Sequence, residues 1–254
     1  MGAVPITSGD SIWHRAVLDR SSLDQLVRLG PKAFKNLLKA PCERAADELP
    51  VVGPDDEVEA LLDAFLKRKQ GLALVHGASA ARGYSSLITL IEFLDLYETG
   101  AISTGMTVGH VNAPILSLPG DTPLSAAIET MLSQNYGPVF IDGEEGYLSD
   151  RGLINHILSP ALLAELGNGG LDEVLSTPIN KLRRSIPLKV PARMELKDAA
   201  FKLGRERGRC LVSSDDRVVT PWDIVVKPWE AGGLKVGEHG SRVARSSPPS
   251  ISMN

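Results

Sequence analysis

The chain has 254 residues, 43% of them hydrophobic, a mean hydropathy near zero and a net charge of −4, which is material for two to four small domains with buried cores. It contains no run of about 18 apolar residues, which excludes a hydrophobic membrane span, and its opening MGAVPITSGDSIWH lacks the basic start and apolar stretch of a secretory signal. Two cysteines far apart, Cys42 and Cys210, fit a reducing, cytoplasmic setting without structural disulfides.

The net charge hides an asymmetry. Residues 1–40 carry six Lys/Arg against three Asp/Glu, residues 41–179 six against twenty, and residues 180–254 fifteen against eight. An acidic centre with basic ends says more than the total.

In chain order, residues 1–40 read as a helical segment. Ser22 to Lys39 forms two short helices broken at Gly30-Pro31, with Leu23, Leu26, Val27 and then Phe34, Leu37, Leu38 as apolar faces. Three stretches of one grammar follow, at residues 41–98, 102–163 and 170–228. Each opens with a short extended run into a proline turn (Pro54, Pro119, Pro191) and continues as an amphipathic helix. Each helix reaches a glycine (Gly71, Gly137, Gly208) that suits a left-handed helix end. An apolar strand comes next: Leu72–Val75, Val139–Ile141 or Cys210–Val212. Tight turns at Asp142–Gly146 and Ser214–Asp216, and a longer tip at Gly77–Gly83, lead to a second strand and a closing helix. Residues 229–254 read as a flexible basic tail.

The spacings agree. Gly71 and Gly137 each lie thirteen residues after the first apolar helix position, Val58 and Leu124, and Gly208 lies twelve after Leu196. Gly137 to Ser149 and Gly208 to Thr220 are both twelve residues; Gly71 to Thr89 is eighteen because of the longer tip. Asp55, Asp121 and Glu195 fall near helix starts, where carboxylates suit the dipole.

With Thr220-x-x-Asp223 after the second strand of the third stretch, Thr89-x-x-Glu92 in the first, and Ser149-Asp150-Arg151-Gly152 in the second, the repeat resembles the cystathionine β-synthase (CBS) domain. The resemblance covers residues 41–228. It implies an α/β fold of tandem βαββα units paired sheet to sheet, with short N-terminal helices and a flexible C-terminal tail. It also implies clefts for adenine nucleotides (AMP, ADP or ATP), with hydroxyl and carboxylate groups on ribose or phosphate. By that resemblance the nucleotide-binding residues are Thr220 and Asp223 first, then Thr89 and Glu92, then Ser149, with Asp150 displaced from the expected position. The competing reading of each junction is a plain helix cap. Because such units pair, a third repeat needs a partner: its copy in a second chain, a cover from residues 1–40, or an outside protein.

From Lys181 to Arg209 ten cations, among them Lys181, Arg183, Arg184, Arg205, Arg207 and Arg209, face only Glu195, Asp198 and Glu206. With Arg242 and Arg245 of the tail they form a candidate RNA-binding surface; the competing reading is a solvated helix face. The five histidines show no metal-ligand spacing, and no nucleophile–base set is motivated. The resemblance implies a non-enzymatic, nucleotide-responsive regulator with no required cofactor. CBS-repeat proteins of archaea include ribosome-binding hibernation factors, and the charge map points the same way. The alternative is a regulatory subunit that controls an enzyme or transporter by protein contacts.

Overall fold

The computed structural model describes residues 3–8, 11–53, 55–76, 85–134, 137–159, 170–206 and 210–237. It begins with an antiparallel hairpin, β1 (Ala3–Ser8) and β2 (Ser11–Leu18), followed by α1 (Asp19–Leu38). The hairpin replaces part of the expected helical segment. Its sequence, with Val4, Ile6, Ile12, Trp13 and Val17, is rich in β-formers. The break expected inside the helix is present: Gly30 has φ 73° and ψ 170°.

The first repeat contains β3 (Asp47–Glu48), β4 (Val51–Val52), α2 (Val58–Arg68), β5 (Leu72–His76), β6 (Ser85–Thr89) and α3 (Leu90–Thr99). The second contains β7 (Ile102–Ser103), α4 (Val108–Val111), β8 (Ala113–Pro114), β9 (Ser117–Leu118), α5 (Leu124–Ser133), β10 (Val139–Ile141), β11 (Tyr147–Leu148) and α6 (Asp150–Ile157). The third contains α7 (Leu171–Leu175), β12 (Leu188–Val190), α8 (Leu196–Arg205), β13 (Leu211–Ser213), β14 (Arg217–Val219) and α9 (Pro221–Glu230), and then β15 (Lys235–Val236). In every repeat the first strand runs parallel to the second across a helix (β4–β5, β9–β10, β12–β13), and the second forms an antiparallel hairpin with the third. The central strands are buried along their length in β10 and β13, as their unbroken apolar runs require.

Two expectations need correction. The left-handed residue that ends α2 is Lys69 (φ 52°), not Gly71. Gly71 is required by space instead: a Cβ there would lie 2.2 Å from Leu90 Cδ1. Gly137 has neither a positive φ nor a close neighbour, and Gly208 lies outside the described residues, as does the tip Gly77–Gly83. The start of the tail is also ordered. Leu234 is buried, Gly233 N–H bonds the Pro228 carbonyl at 2.8 Å, and β15 pairs antiparallel with β7. One apolar anchor and a strand partner hold a segment that composition alone marks as loose.

Four bodies close into a ring. The sheet of the N-terminal unit packs on that of the first repeat through Ala16, Leu18, Leu49, Leu72 and Leu74. The sheets of the second and third repeats pack through Phe140, Tyr147, Cys210, Val212 and Val218. Helices join the two pairs. Phe65, Phe93 and Tyr97 of the first repeat pack with Leu196, Leu203 and Ile224 of the third. Leu23, Leu26 and Phe34 of α1 pack with Ile128, Leu153 and Ile157 of the second. The third repeat is therefore paired within the chain, and residues 1–40 complete the first repeat.

Candidate functional site

The second and third repeats exchange the segments that precede their first strands. The segment before β8 crosses to the third repeat: Val108 N–H bonds Met194 O at 2.9 Å, Gly109 N–H bonds Ala192 O at 2.7 Å, and β8 pairs with β14. The segment before β12 crosses back: Ile179 N–H bonds Thr122 O at 3.0 Å, and Ser185 and Tyr147 exchange backbone bonds of 2.9 and 3.0 Å. Gly109 permits this approach, since a Cβ would sit 3.2 Å from the Ala192 carbonyl. The strands that lead into the two junctions of this pair, β14 and β11, thus each pair with backbone from the other repeat.

The Thr220 junction is the most elaborate. Asp223 Oδ2 accepts from Thr220 N–H and from its hydroxyl, both at 2.7 Å, a reciprocal cap on α9. Asp223 Oδ1 takes the Lys227 ammonium at 2.8 Å, and Lys227 also donates to the Val111 carbonyl at 2.6 Å. Asp223 is only 6% exposed, so both oxygens face protein groups. Beside it Asn112 Nδ2 donates to Asp215 Oδ2 at 3.0 Å and to Ser213 Oγ at 3.1 Å, and Arg217 Nε donates to Asn112 Oδ1 at 2.9 Å. The hydroxyl of Ser213 donates to Asp215, and this holds the Asp215 carboxyl below the usual carboxylate range.

The other junctions are simpler. At the start of α3, Glu92 accepts from Thr89 N–H at 2.8 Å and from the Thr89 hydroxyl, and Glu92 is exposed. At the start of α6, Ser149 Oγ accepts from Gly152 N–H at 3.2 Å. The residue matching Asp223 there is Gly152, so no carboxylate is present. Asp150 points elsewhere: it pairs with Arg20 of α1 at 3.5 Å, and Arg20 also reaches the Met131 carbonyl at 2.9 Å. Asp150 thus ties α6 to α1 in this structure. Burial raises its pKa despite Arg20.

Of the expected basic surface, Lys181, Arg183 and Arg205 are exposed, together with Lys189, Arg193, Lys197 and Lys202. Arg184 is held by Glu144, which leaves it less free than the sequence suggests. Arg207, Arg209, Arg242 and Arg245 lie outside the described residues. A groove of about 400 Å³ runs between β12 and α8, lined by Leu188, Met194, Asp198, Phe201, Lys202, Arg205 and Glu206. Of the candidate site residues it touches only Arg205, whose guanidinium sits 4.2 Å from the Phe201 ring centre. The Cys210 thiol is buried and pushed up to about 12, far from a nucleophile's range.

Sequence reasoning missed Lys227 and Asn112. Lys227 carried a signal, since a cation four residues after a carboxylate on a helix is a standard pair. Asn112 carried none, because its partners are more than a hundred residues away.

No family model and no curated protein matches this chain. Among solved structures, protein MJ1225 from Methanocaldococcus jannaschii, proposed as an archaeal homologue of γ-AMPK, superposes with a TM-score of 0.70 at 16% identity, over 88% of this chain and 86% of its own. The CBS-pair protein CBSX2 from Arabidopsis thaliana, TM-score 0.39 and 21% identity, covers 51% of this chain and 98% of its own. A structure of CBSX2 in complex with AMP matches at TM-score 0.36 and 22% identity, over 50% and 99%. The fold is α/β, built of tandem units paired sheet to sheet, and it is shared with protein MJ1225 over most of both chains.

Proposed function

We propose that this chain is a non-catalytic regulator that holds an adenine nucleotide at the junction of the second and third repeats, with Thr220 and Asp223 as its ribose and phosphate contacts. One observation carries this reading. The Asp223 carboxylate holds Lys227, which is tied to the Val111 carbonyl of the other repeat, and β14, which leads into Thr220, pairs with β8 of that repeat, so a ligand at this cap is placed to bias the packing of both units. A fold shared with a protein proposed as a γ-AMPK homologue supports adenine nucleotides as the ligand class. The Thr89–Glu92 junction, with its exposed carboxylate, is the second site.

Calorimetric titration with AMP, ADP and ATP tests this. At least one nucleotide is expected to bind below about millimolar Kd, and Asp223→Asn to weaken it by about tenfold, the value of one charge-assisted bond. A wild-type chain that takes up none of the three at millimolar concentration would end this reading.

A finer reading concerns the partner. The exposed cations Lys181, Arg183, Lys189, Arg193, Lys197, Lys202 and Arg205 favour a phosphate-backbone surface, and ribosomal RNA, with inhibition of translation, is the partner we propose for it. Cosedimentation with ribosomes is expected to fall steeply between about 50 and 200 mM salt and after charge reversal at Arg183 and Arg205. Capture of a single enzyme or transporter, insensitive to nuclease, would point instead to a protein-only regulatory subunit.

A further inference from the structure

We infer that Lys227 is a built-in competitor for the Asp223 carboxylate, so that a ligand diol binds only by expelling the Lys227 ammonium. This rests on the Asp223 junction being a ligand site. The geometry leaves one way in. A ribose diol offers two hydroxyl donors and needs two acceptor positions. Asp223 Oδ2 already receives the Thr220 N–H and hydroxyl at 2.7 Å each, bonds that hold the start of α9. Asp223 Oδ1 is covered by Lys227 at 2.8 Å. The ammonium does not rest there by proximity alone. Its second bond, 2.6 Å to the Val111 carbonyl, ties α9 to the segment donated by the other repeat. Removing it therefore opens the carboxylate and releases one inter-repeat tie in the same step.

Lys227 is able to move. It lies in the last turn of α9, its side chain is 34% exposed, and four rotatable bonds link the ammonium to the helix. Asp223 is fixed, 6% exposed and capped. The rigid partner is the acceptor and the mobile one is the plug. Such an arrangement lowers the apparent affinity of any diol by the fraction of time the plug is out. Ligand occupancy and loss of the Lys227–Val111 tie then become one event, which gives the site a means of reporting to the third-repeat helices.

Neutral adenosine isolates this effect, because it carries no phosphate for a freed ammonium to attract. Wild type and Lys227→Met, which keeps the helix propensity and the unbranched stem but is one atom shorter and carries no ammonium, are titrated with adenosine, 2′,3′-dideoxyadenosine and AMP. The expected result is an adenosine Kd about tenfold lower in Lys227→Met, matching the loss of one charge-assisted competitor, with no gain for the dideoxy compound. Equal or weaker adenosine binding by the variant, or an equal gain for the dideoxy compound, overturns the plug while AMP binding by wild type leaves the proposed site standing. Failure of both chains to bind AMP or adenosine removes the plug and the site together.

Discussion

Asp150 illustrates how far a side chain's role depends on what folds against it. In sequence it adjoins the Ser149 junction; in the fold its carboxyl is buried against α1, one oxygen facing Arg20 and the other, Oδ1, without a hydrogen-bond partner. Burial raises its pKa. The folded chain therefore binds its proton more tightly than the unfolded chain. Stability from the protonated form is complete below the unfolded value of about 3.9 and is lost as pH rises through the folded one. Asp150→Asn is thus expected to be more stable than wild type at neutral pH, the difference closing toward pH 3; urea unfolding at both pH values checks this. At Gly71 the constraint is steric. A methyl group 2.2 Å from Leu90 Cδ1 makes Gly71→Ala cost about 1–3 kcal/mol, readable from the urea midpoint. The Thr220-x-x-Asp223 and Thr89-x-x-Glu92 caps were legible because a cap is local in sequence. The partners of Asp150 were not, since Arg20 lies 130 residues away.

Strands and helices of the three repeats follow from short-range pattern. Continuous apolar runs give the buried strands β5, β10 and β13, and the 3.6-residue period gives α2, α5 and α8. The N-terminal hairpin is the exception. Its β-rich sequence lies within a segment whose later half has clear helical faces, and pairing of β2 with β3 of the first repeat fixes it as sheet. Two tests belong to this scale. Gly30 sits at φ 73° in the break of α1 with open space around it, so Gly30→Ala is expected to cost about 1 kcal/mol through backbone strain alone. The Tyr147 hydroxyl accepts the buried Cys210 N–H at 3.1 Å across the paired sheets. Tyr147→Phe orphans that donor and is expected to cost about 1–3 kcal/mol, with faster exchange of the Cys210 amide by NMR.

The four bodies stabilise one another around the ring, and the N-terminal unit contributes to both kinds of interface. Removing residues 1–40 would uncover Leu49, Leu72 and Leu74 on the first repeat and Ile128, Leu153 and Ile157 on the second. That truncated chain is expected to melt well below the full chain and to bind a hydrophobic dye at room temperature; a scan with an unchanged midpoint would show that the ring does not need its fourth member. Sequence alone determined the repeat, the order of strand and helix within it, the caps at its junctions and the charge map, because periodicity, turn chemistry and capping act over a few residues. Tertiary structure alone decided that the second and third repeats exchange segments, that residues 1–40 complete the first repeat, and that Lys227 and Val111 meet over Asp223. Those contacts join residues from 38 positions apart (Tyr147 and Ser185) to 116 (Val111 and Lys227), where which apolar faces bury one another, rather than local preference, selects the partner.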